Sequence, residues 1–416
     1  MEAIAHFALP QMPLSVARSA KHAAPTKPDA SARLANKAGK PFFGLIDSVL
    51  VEEPVDFEFG GAISRAHAMA VWTWMLRDLA ADLIDPDTSA DDPAAAQALD
   101  AMMPELMTRA RAAVAVASGT HDIERRLKTQ IGGEEPWERL PLVLNALKCR
   151  ALLEKARSFG RAVNGMNDEA ALAMALQSMP LQDQAIAALL MQAAVGQVAN
   201  PSRLMTAVIR IAGSPAEAAI QRAGFSPLVD ALLAHAQNQI RALSQIGPFA
   251  DIDLTCRAID RFHRLIRAVN GFVELGRAGR WAMIVSALTK AVSERIEPKL
   301  RDVVPSVNMA LRRAREGADR FDSDLLLSAL NGVYILAAVR DARDSLALNA
   351  MFDQSWTQIG QVLELHIQRN LEILRQNPAD ANTSQRLDAA IKMAELRFNA
   401  EYADVLRRAK ETAGKS

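Results

Sequence analysis

The side chains that most often bind metals are few in this chain and widely separated. None of its histidines forms an HExxH motif, and no ExxH pair supplies the helical ligands of a di-iron site. His121, Asp122 and Glu124 lie together at a helix start, where the acids also complement the helix dipole. We prefer the helix-start interpretation and predict no metal site and no cofactor. The histidines are His6, His22, His67, His121, His235, His263 and His366.

Two short segments resemble ion- or phosphate-binding loops only in part. DRFDSD (Asp319–Asp324) begins like a calcium loop but has Asp324 in place of the required glycine and Leu330 in place of the required glutamate. We interpret it as a helix N-cap cluster. The terminal GKS (Gly414–Ser416) lacks the upstream glycine and the strand of a phosphate loop. We predict no catalytic residue, while an active site assembled from distant helices stays open.

A pentapeptide, RAVNG, occurs twice, at Arg161–Gly165 and Arg267–Gly271, and each copy follows a CRA triplet. The triplets contain the two cysteines, Cys149 and Cys256, which precede their pentapeptides by different distances. A slip of one residue turns a helical side chain by about 100°, so the two matches cannot both be structurally equivalent. We interpret RAVNG as a helix end with a left-handed glycine. A duplicated structural unit and chance both stay open.

The helix around the second copy has a basic face. Arg257, Arg261 and Arg264 share that face, with Arg267 at its edge, and apolar side chains take the opposite side. Such a helix can bind anionic lipid, a phosphate backbone or an acidic protein. The alternative is a solvated face paired with acids from neighbouring helices, which the neutral overall charge favours.

Four aromatic residues are candidates for anchoring a partner protein. Trp72 and Trp74 point to different faces of one helix, and tryptophan is enriched at binding hot spots. Phe57 and Phe59 belong to VDFEF, an alternating acidic and apolar segment that resembles a partner-binding motif. For all four, the alternative is packing against the protein's own core.

A histidine and an asparagine, His366 and Asn370, lie four residues apart within an apolar helical stripe. Buried polar residues in such a seam usually fix the register of helices through a hydrogen bond. A role in sensing pH or in binding a ligand is the alternative interpretation.

The composition favours helices throughout. Half of the residues are hydrophobic and only 5% are aromatic, and strong helix formers such as Ala, Leu and Arg dominate. We predict an all-α fold: an elongated multi-helix bundle or array of antiparallel helix pairs. A disordered N-terminal tail and a short extended arm precede it.

Changes in composition predict four segments. Residues 1–40 form a disordered basic tail, residues 41–61 an acidic extended arm, and residues 62–247 a region of short helices. Within the arm, VDFEF is either a short strand or an extended segment laid on the body. Residues 248–416 form a C-terminal bundle of longer helices, which ends in a helical hairpin of two apolar stripes. The first stripe is Phe352, Trp356, Ile359, Leu363 and Ile367, and the second is Leu387, Ile391, Ala394, Phe398, Tyr402 and Val405.

The charge balance and the cysteines limit the functions that fit. The 48 basic and 48 acidic residues cancel, so nucleic acid or a membrane surface is a less favoured partner. Two cysteines within helical patterns indicate reduced thiols, and we predict a cytoplasmic, bacterial protein.

We therefore predict a non-catalytic helical scaffold, adaptor or regulatory protein that binds an unknown protein partner, with a homo-oligomer as another arrangement. The first alternative is a peripheral binder of anionic lipid or nucleic acid that uses Arg257–Arg267. The second is an enzyme with an active site in a helical cleft.

Overall fold

A computed structural model describes residues 41–83, 93–243, 251–313 and 322–414. These residues are almost entirely helical, with two strands of two residues each, and this confirms the predicted all-α helical array. The predicted basic tail, residues 1–40, lies outside the described residues.

The helices follow one another with short connections. The first helix, α1, covers residues 41–46, and short 3₁₀ turns are found at Asp47–Val49 and Arg343–Ser345. The next helices are α2 (Arg65–Trp74, extended by a π-helical turn at Met75–Leu79), α3 (Pro93–Ala117), α4 (His121–Ile131), α5 (Glu134–Lys148), α6 (Arg150–Val163), α7 (Glu169–Gln177), α8 (Gln184–Val195) and α9 (Pro201–Ala212). The remaining helices are α10 (Glu217–Arg222), α11 (Ser226–Gln237), α12 (Gln239–Ala242), α13 (Ile252–Asn270), α14 (Arg280–Leu311), α15 (Ser323–Ala342), α16 (Asn349–Gln376), α17 (Ala381–Arg397) and α18 (Ala400–Ala413).

The segment predicted as an extended arm is only partly extended. It begins with α1, whose Phe42 and Ile46 are fully buried one helical turn apart. Strand β1 (Leu50–Val51) then pairs in parallel with β2 (Ile63–Ser64). VDFEF forms irregular backbone, so the strand alternative for this segment is wrong. Alternation alone could not locate the strand, since a two-residue strand is set by the partner that it meets.

The buried apolar side chains form two clusters that meet at α8. Leu189, Leu190 and Ala193 of α8 belong to the first cluster, which covers α1 to α6. Met191 and Val195 of the same helix belong to the second, which runs from α7 to α18. The clusters therefore meet well before residue 247, where the change in helix length suggested a boundary.

Two glycines allow backbone to lie close against α8. A Cβ atom at Gly160 of α6 would lie 2.2 Å from the Ala194 carbonyl oxygen. A Cβ atom at Gly61 would lie 2.4 Å from the Ala188 carbonyl oxygen. Because α8 supports both clusters, these two approaches help to set the geometry of the whole array.

A buried aspartate ties the irregular segment before β2 to the second cluster. Asp230 of α11 accepts hydrogen bonds from Arg280 Nη1 at 2.7 Å and from Trp281 Nε1 at 2.8 Å. Arg280 also donates to the Glu58 carbonyl oxygen and lies over the Phe57 ring. The cation and carboxylate thus hold an otherwise irregular piece of chain in place.

The predicted C-terminal hairpin has an additional break. The stripe at Phe352, Ile359 and Leu363 is buried in α16, as predicted. The second stripe was predicted as one helix, but it is divided into α17 and α18. Asn399 has extended backbone, and its side chain accepts a hydrogen bond from Tyr402 N at 2.7 Å. This N-cap starts a new helix, so the end of the chain is a three-helix arrangement.

Within the described residues, one helical stretch, Ser323–Ser345, is long and apolar enough to cross a membrane by length and composition alone. The helix that it contains, α15, contacts α13, α14, α16 and α17. Val333 and Leu336 are fully buried among these helices. Contacts with four other helices are typical of an apolar helix that packs inside a helical array.

Candidate partner-binding groove

One face of α3 and one face of α5 form the walls of an open groove. On α3, Met107, Arg111 and Val114 recur at helical spacing, and on α5, Trp137, Leu140, Pro141 and Leu144 do the same. Such spacing places each set on one face of its helix. The groove has a volume of about 460 Å³. Its full lining is Met107, Arg111, Val114, Ala115, Trp137, Glu138, Leu140, Pro141, Leu144 and Asn145.

The floor and the rim of the groove differ in chemistry. Met107 and Leu140 are buried beneath it, while Trp137 and Leu144 are partly exposed along its wall. Arg111 on α3 and Glu138 on α5 are exposed, so the two walls carry opposite charges. An apolar floor with a charged rim is the usual anatomy of a surface that binds another protein.

A proline lies within α5, in the wall of this groove. Pro141 is inside the helix and has no backbone N–H. The Trp137 carbonyl, four residues earlier, therefore lacks its ordinary helical partner. Both residues line the groove.

The sequence contains a helical stripe that corresponds to one wall of this groove. Trp137, Pro141 and Leu144 recur at i, i+4 and i+7, the spacing that we interpreted elsewhere as core. A helical stripe records only which side chains share a face. Whether another helix covers that face depends on how the helices pack.

Arg261 interrupts the predicted basic face, because its guanidinium donates hydrogen bonds to backbone carbonyls of the protein itself. This guanidinium donates to the Val195 carbonyl at 2.8 Å and to the Val198 carbonyl, at the C-terminal end of α8. It therefore satisfies carbonyl groups that a helix end leaves without partners. Arg264 pairs with Asp260 at 2.8 Å, and Arg257 and Arg267 are exposed. Of the four cations that the sequence placed on this face, Arg257, Arg264 and Arg267 remain exposed.

The predicted aromatic anchors are mostly core residues. Trp72 and Trp74 are 1% and 2% exposed, and Phe59 is 6% exposed. The prediction that they anchor a partner is corrected for these three, because their rings are covered by the first and second clusters. Phe57 is partly buried beneath Arg280. Their residue types were compatible with either interpretation, and only packing separates the two.

The predicted polar pair, His366 and Asn370, is buried, but His366 bonds a residue of another helix instead of Asn370. His366 Nε2 lies 2.7 Å from Asn308 Oδ1 of α14, and this contact joins α16 to α14. Asn370 is 2% exposed, and its Nδ2 has no partner within the described residues. Burial, with Arg369 and Arg312 nearby, lowers the pKa of His366. The contact is of the register-fixing kind that the sequence suggested.

The residues considered for metal or ion binding lie at helix starts. His121, Asp122 and Glu124 lie in the first turn of α4, and Glu124 pairs with Lys128 at 2.9 Å. Asp322 caps α15 by accepting from the backbone of Asp324 and Leu325. This confirms the N-cap interpretation for that residue. Residues 319–321 and the last two residues of GKS lie outside the described residues.

Neither cysteine forms a disulfide. Cys149 is buried, and burial raises the pKa of the Cys256 thiol to about 11. Both RAVNG copies end helices, but the left-handed glycine that we predicted is wrong. Gly271 has φ −84°, and Gly165 is not among the positive-φ glycines. In the first copy, the Asn164 side chain instead bonds Gln197 O and Ala199 N in the connection between α8 and α9.

A further histidine makes the stability of this fold dependent on pH. His235 Nε2 lies 2.8 Å from the Gln192 carbonyl oxygen, and burial lowers the pKa of His235 to about 4. Between about pH 6.5 and pH 4 the unfolded chain therefore binds a proton that the folded chain does not. The free energy of unfolding should fall by about 2 kcal/mol as pH is lowered through this window. Because His235 is partly exposed, this fall in the free energy of unfolding is smaller than the whole pKa shift would give.

Chemical denaturation of His235→Gln at several pH values checks this expectation. The variant should show a shallower loss of stability on acidification than the wild type. His121→Gln, at an exposed position, should keep the wild-type slope. Equal slopes for His235→Gln and wild type would contradict the role of this histidine.

Comparison with protein-family models, curated proteins and solved structures found no match to this chain.

Proposed function

We propose that this protein is a non-catalytic helical adaptor that binds an amphipathic helix of a partner protein in the α3–α5 groove. The observation that supports it most directly is the open apolar floor between two helices, with a partly exposed tryptophan in its wall. Aromatic residues are enriched where proteins bind one another.

The dimensions of the groove suit a helix. On α3 the lining extends from Met107 to Ala115, which is about 12 Å along a helix axis. A partner helix lying along it would present about two turns, with apolar side chains at i, i+3, i+4 and i+7. The lining contains one carboxylate, Glu138, and neither histidine nor cysteine, which is the chemistry of binding rather than of acid–base or nucleophilic catalysis.

The charges at the rim suggest how a partner helix would be oriented. Arg111 lies on the α3 wall and Glu138 on the α5 wall. A partner with an acid on one flank of its apolar stripe and a base on the other would complement both.

A photo-crosslinking amino acid at Ala115 tests the proposal in the native host. We expect it to capture one partner through a segment with an amphipathic helical pattern. The same amino acid at the exposed Val405 is the control and should not capture that segment. Capture of a lipid or of another small apolar molecule at Ala115 would contradict the adaptor proposal.

Truncation of the wall tryptophan should then weaken binding of the captured segment. We expect Trp137→Ala to raise its Kd at least about 30-fold, because truncating a hot-spot residue costs about 2 kcal/mol or more. Val116→Ala is the matched control, since Val116 is 59% exposed on α3 but does not line the groove. Titration of a fluorescent peptide measures both values. Equal affinity for wild type and Trp137→Ala would contradict the assignment of the groove.

A further inference from the structure

The sequence before α1 divides into two parts of different composition. Residues 1–14 (MEAIAHFALPQMPL), which we name the N-terminal segment, contain no lysine or arginine and a single acid, Glu2. Residues 15–40 contain six lysines and arginines, with alanine, serine and proline among them. A mostly apolar segment is therefore joined to α1 by 26 residues of basic, polar chain.

The N-terminal segment begins with the pattern of a short amphipathic helix. At about 100° per residue, Glu2 and His6 share one side of such a helix. The opposite side has the apolar residues Ile4, Phe7 and Ala8. Their spacing, i, i+3 and i+4, is the spacing with which an amphipathic helix binds in an apolar groove.

The pattern matches the α3–α5 groove in length. It covers residues 2–9 and ends before Pro10, because the residue that precedes a proline disfavours helical backbone. Eight helical residues measure about 12 Å, which is also the length of the groove lining along α3. Glu2 is opposite in charge to Arg111 at the rim of the groove.

The chain between this segment and α1 is long enough to bring the two together. In α1, Phe42 stacks on Trp72 and belongs to the first cluster, as does Met107 of the groove floor. Gly44 of α1 and Asp100 of α3 line one cavity, and Asp100 precedes Met107 by two helical turns, about 10 Å. The 26 connecting residues can span up to about 85 Å, so the groove is well within their reach.

We propose that the N-terminal segment binds in the α3–α5 groove of its own chain and competes there with the partner helix. Ile4 and Phe7 would contact the apolar floor of the groove. A segment tethered in this way has an effective concentration on the order of a millimolar. With a Kd of about 100 µM as a free peptide, it would occupy about nine-tenths of the grooves and weaken partner binding about tenfold. The regulatory role rests on the adaptor function proposed above.

Photo-crosslinking in the purified full-length protein tests whether the segment reaches the groove. With the photoreactive amino acid at Ala115, we expect a cross-link to residues 1–14 within a single chain. The exposed Val405 is the control position and should give none. Combining Ile4→Asp with Phe7→Asp should abolish the cross-link, because carboxylates are unfavourable against an apolar floor. Cross-links only between two copies of the chain, or none to residues 1–14, would overturn the proposal.

A labelled synthetic peptide of residues 1–14 measures the competition. The full-length Ile4→Asp, Phe7→Asp variant should bind it about tenfold more tightly than the wild type, because the variant's own segment no longer fills the groove. Adding Trp137→Ala to this variant should weaken binding at least about tenfold. Adding Val116→Ala instead is the matched control and should leave the affinity unchanged. Equal affinity of the peptide for the wild type and the double variant would overturn the proposal.

This inference and the adaptor function fail in different experiments. Capture of a partner in the native host, without a cross-link to residues 1–14 in the purified protein, would overturn the inference and leave the adaptor function standing. A cross-link to residues 1–14 without capture of any partner would contradict the adaptor function, while supporting the contact between the segment and the groove.

Discussion

Replacing Gly160 by alanine is expected to lower the free energy of unfolding by about 3 kcal/mol, at the upper end of the cost of overpacking. The added Cβ atom would lie 2.2 Å from the Ala194 carbonyl oxygen and 3.0 Å from Gln197 Cβ. Neither obstacle is the flexible end of a long side chain, so α6 and α8 must separate. Helix propensity opposes this effect, because alanine is favoured over glycine by about 1 kcal/mol within a helix, but it is the smaller term.

Urea denaturation of Gly160→Ala and wild type measures the difference. Gly44→Ala is the matched control, since the same added methyl group in helix α1 meets no atom within 4 Å. That control should be neutral or slightly stabilising. If Gly160→Ala were as stable as the wild type, α6 and α8 would not lie as close together as the structure places them.

Removing the carboxylate of Asp230 should cost about 2 kcal/mol, because the buried Trp281 N–H loses its acceptor while the other partner, Arg280, is half exposed and its ion pair is screened by solvent. Asp230→Ala leaves the indole N–H of Trp281 without its acceptor, and Trp281 is 1% exposed. It also frees Arg280, which holds the Glu58 carbonyl and the Phe57 ring. The segment around Phe57 should then lose its protection against proteolysis and hydrogen exchange.

Two further variants separate the contributions at this aspartate. Asp230→Asn keeps an oxygen that accepts from Trp281, so its cost should be about half that of the alanine variant. Asp260→Ala removes the half-exposed pair with Arg264 and should cost less than about 1 kcal/mol. Comparable losses for Asp230→Ala and Asp260→Ala, measured by chemical denaturation, would contradict a structural role for the buried pair.

Local features of the sequence predicted much of the helical array. The Asp322 cap and the apolar stripe of Phe352, Ile359 and Leu363 were read from neighbouring residues alone, and the structure confirms them. Signals of this kind act within a few residues, because capping bonds and helical periodicity involve positions three or four apart. The break at Asn399 was missed because the apolar spacing continues across it.

The candidate sites were much less predictable. Arg261 was predicted as part of an exposed basic face, yet it donates to carbonyls at the end of α8. Trp72 and Trp74 were candidate anchors, with core packing as the alternative, and they are buried, whereas Trp137, which was not a candidate, lines the open groove. In each case the residue type was compatible with both roles. The role depended on residues distant in sequence that cover the side chain or leave it uncovered.

The sequence by itself determined that this chain forms helices, where many of them begin and which side chains share an apolar face, because backbone propensity, caps and periodicity are local properties. Only the tertiary structure decided which faces are covered. Gly160 and Gly61 bring α6 and the segment before β2 against α8, and Asp230 fixes the chain near Phe57. The α3–α5 groove is a space that this packing leaves, and it depends on how two helices lie against each other rather than on the sequence of either one.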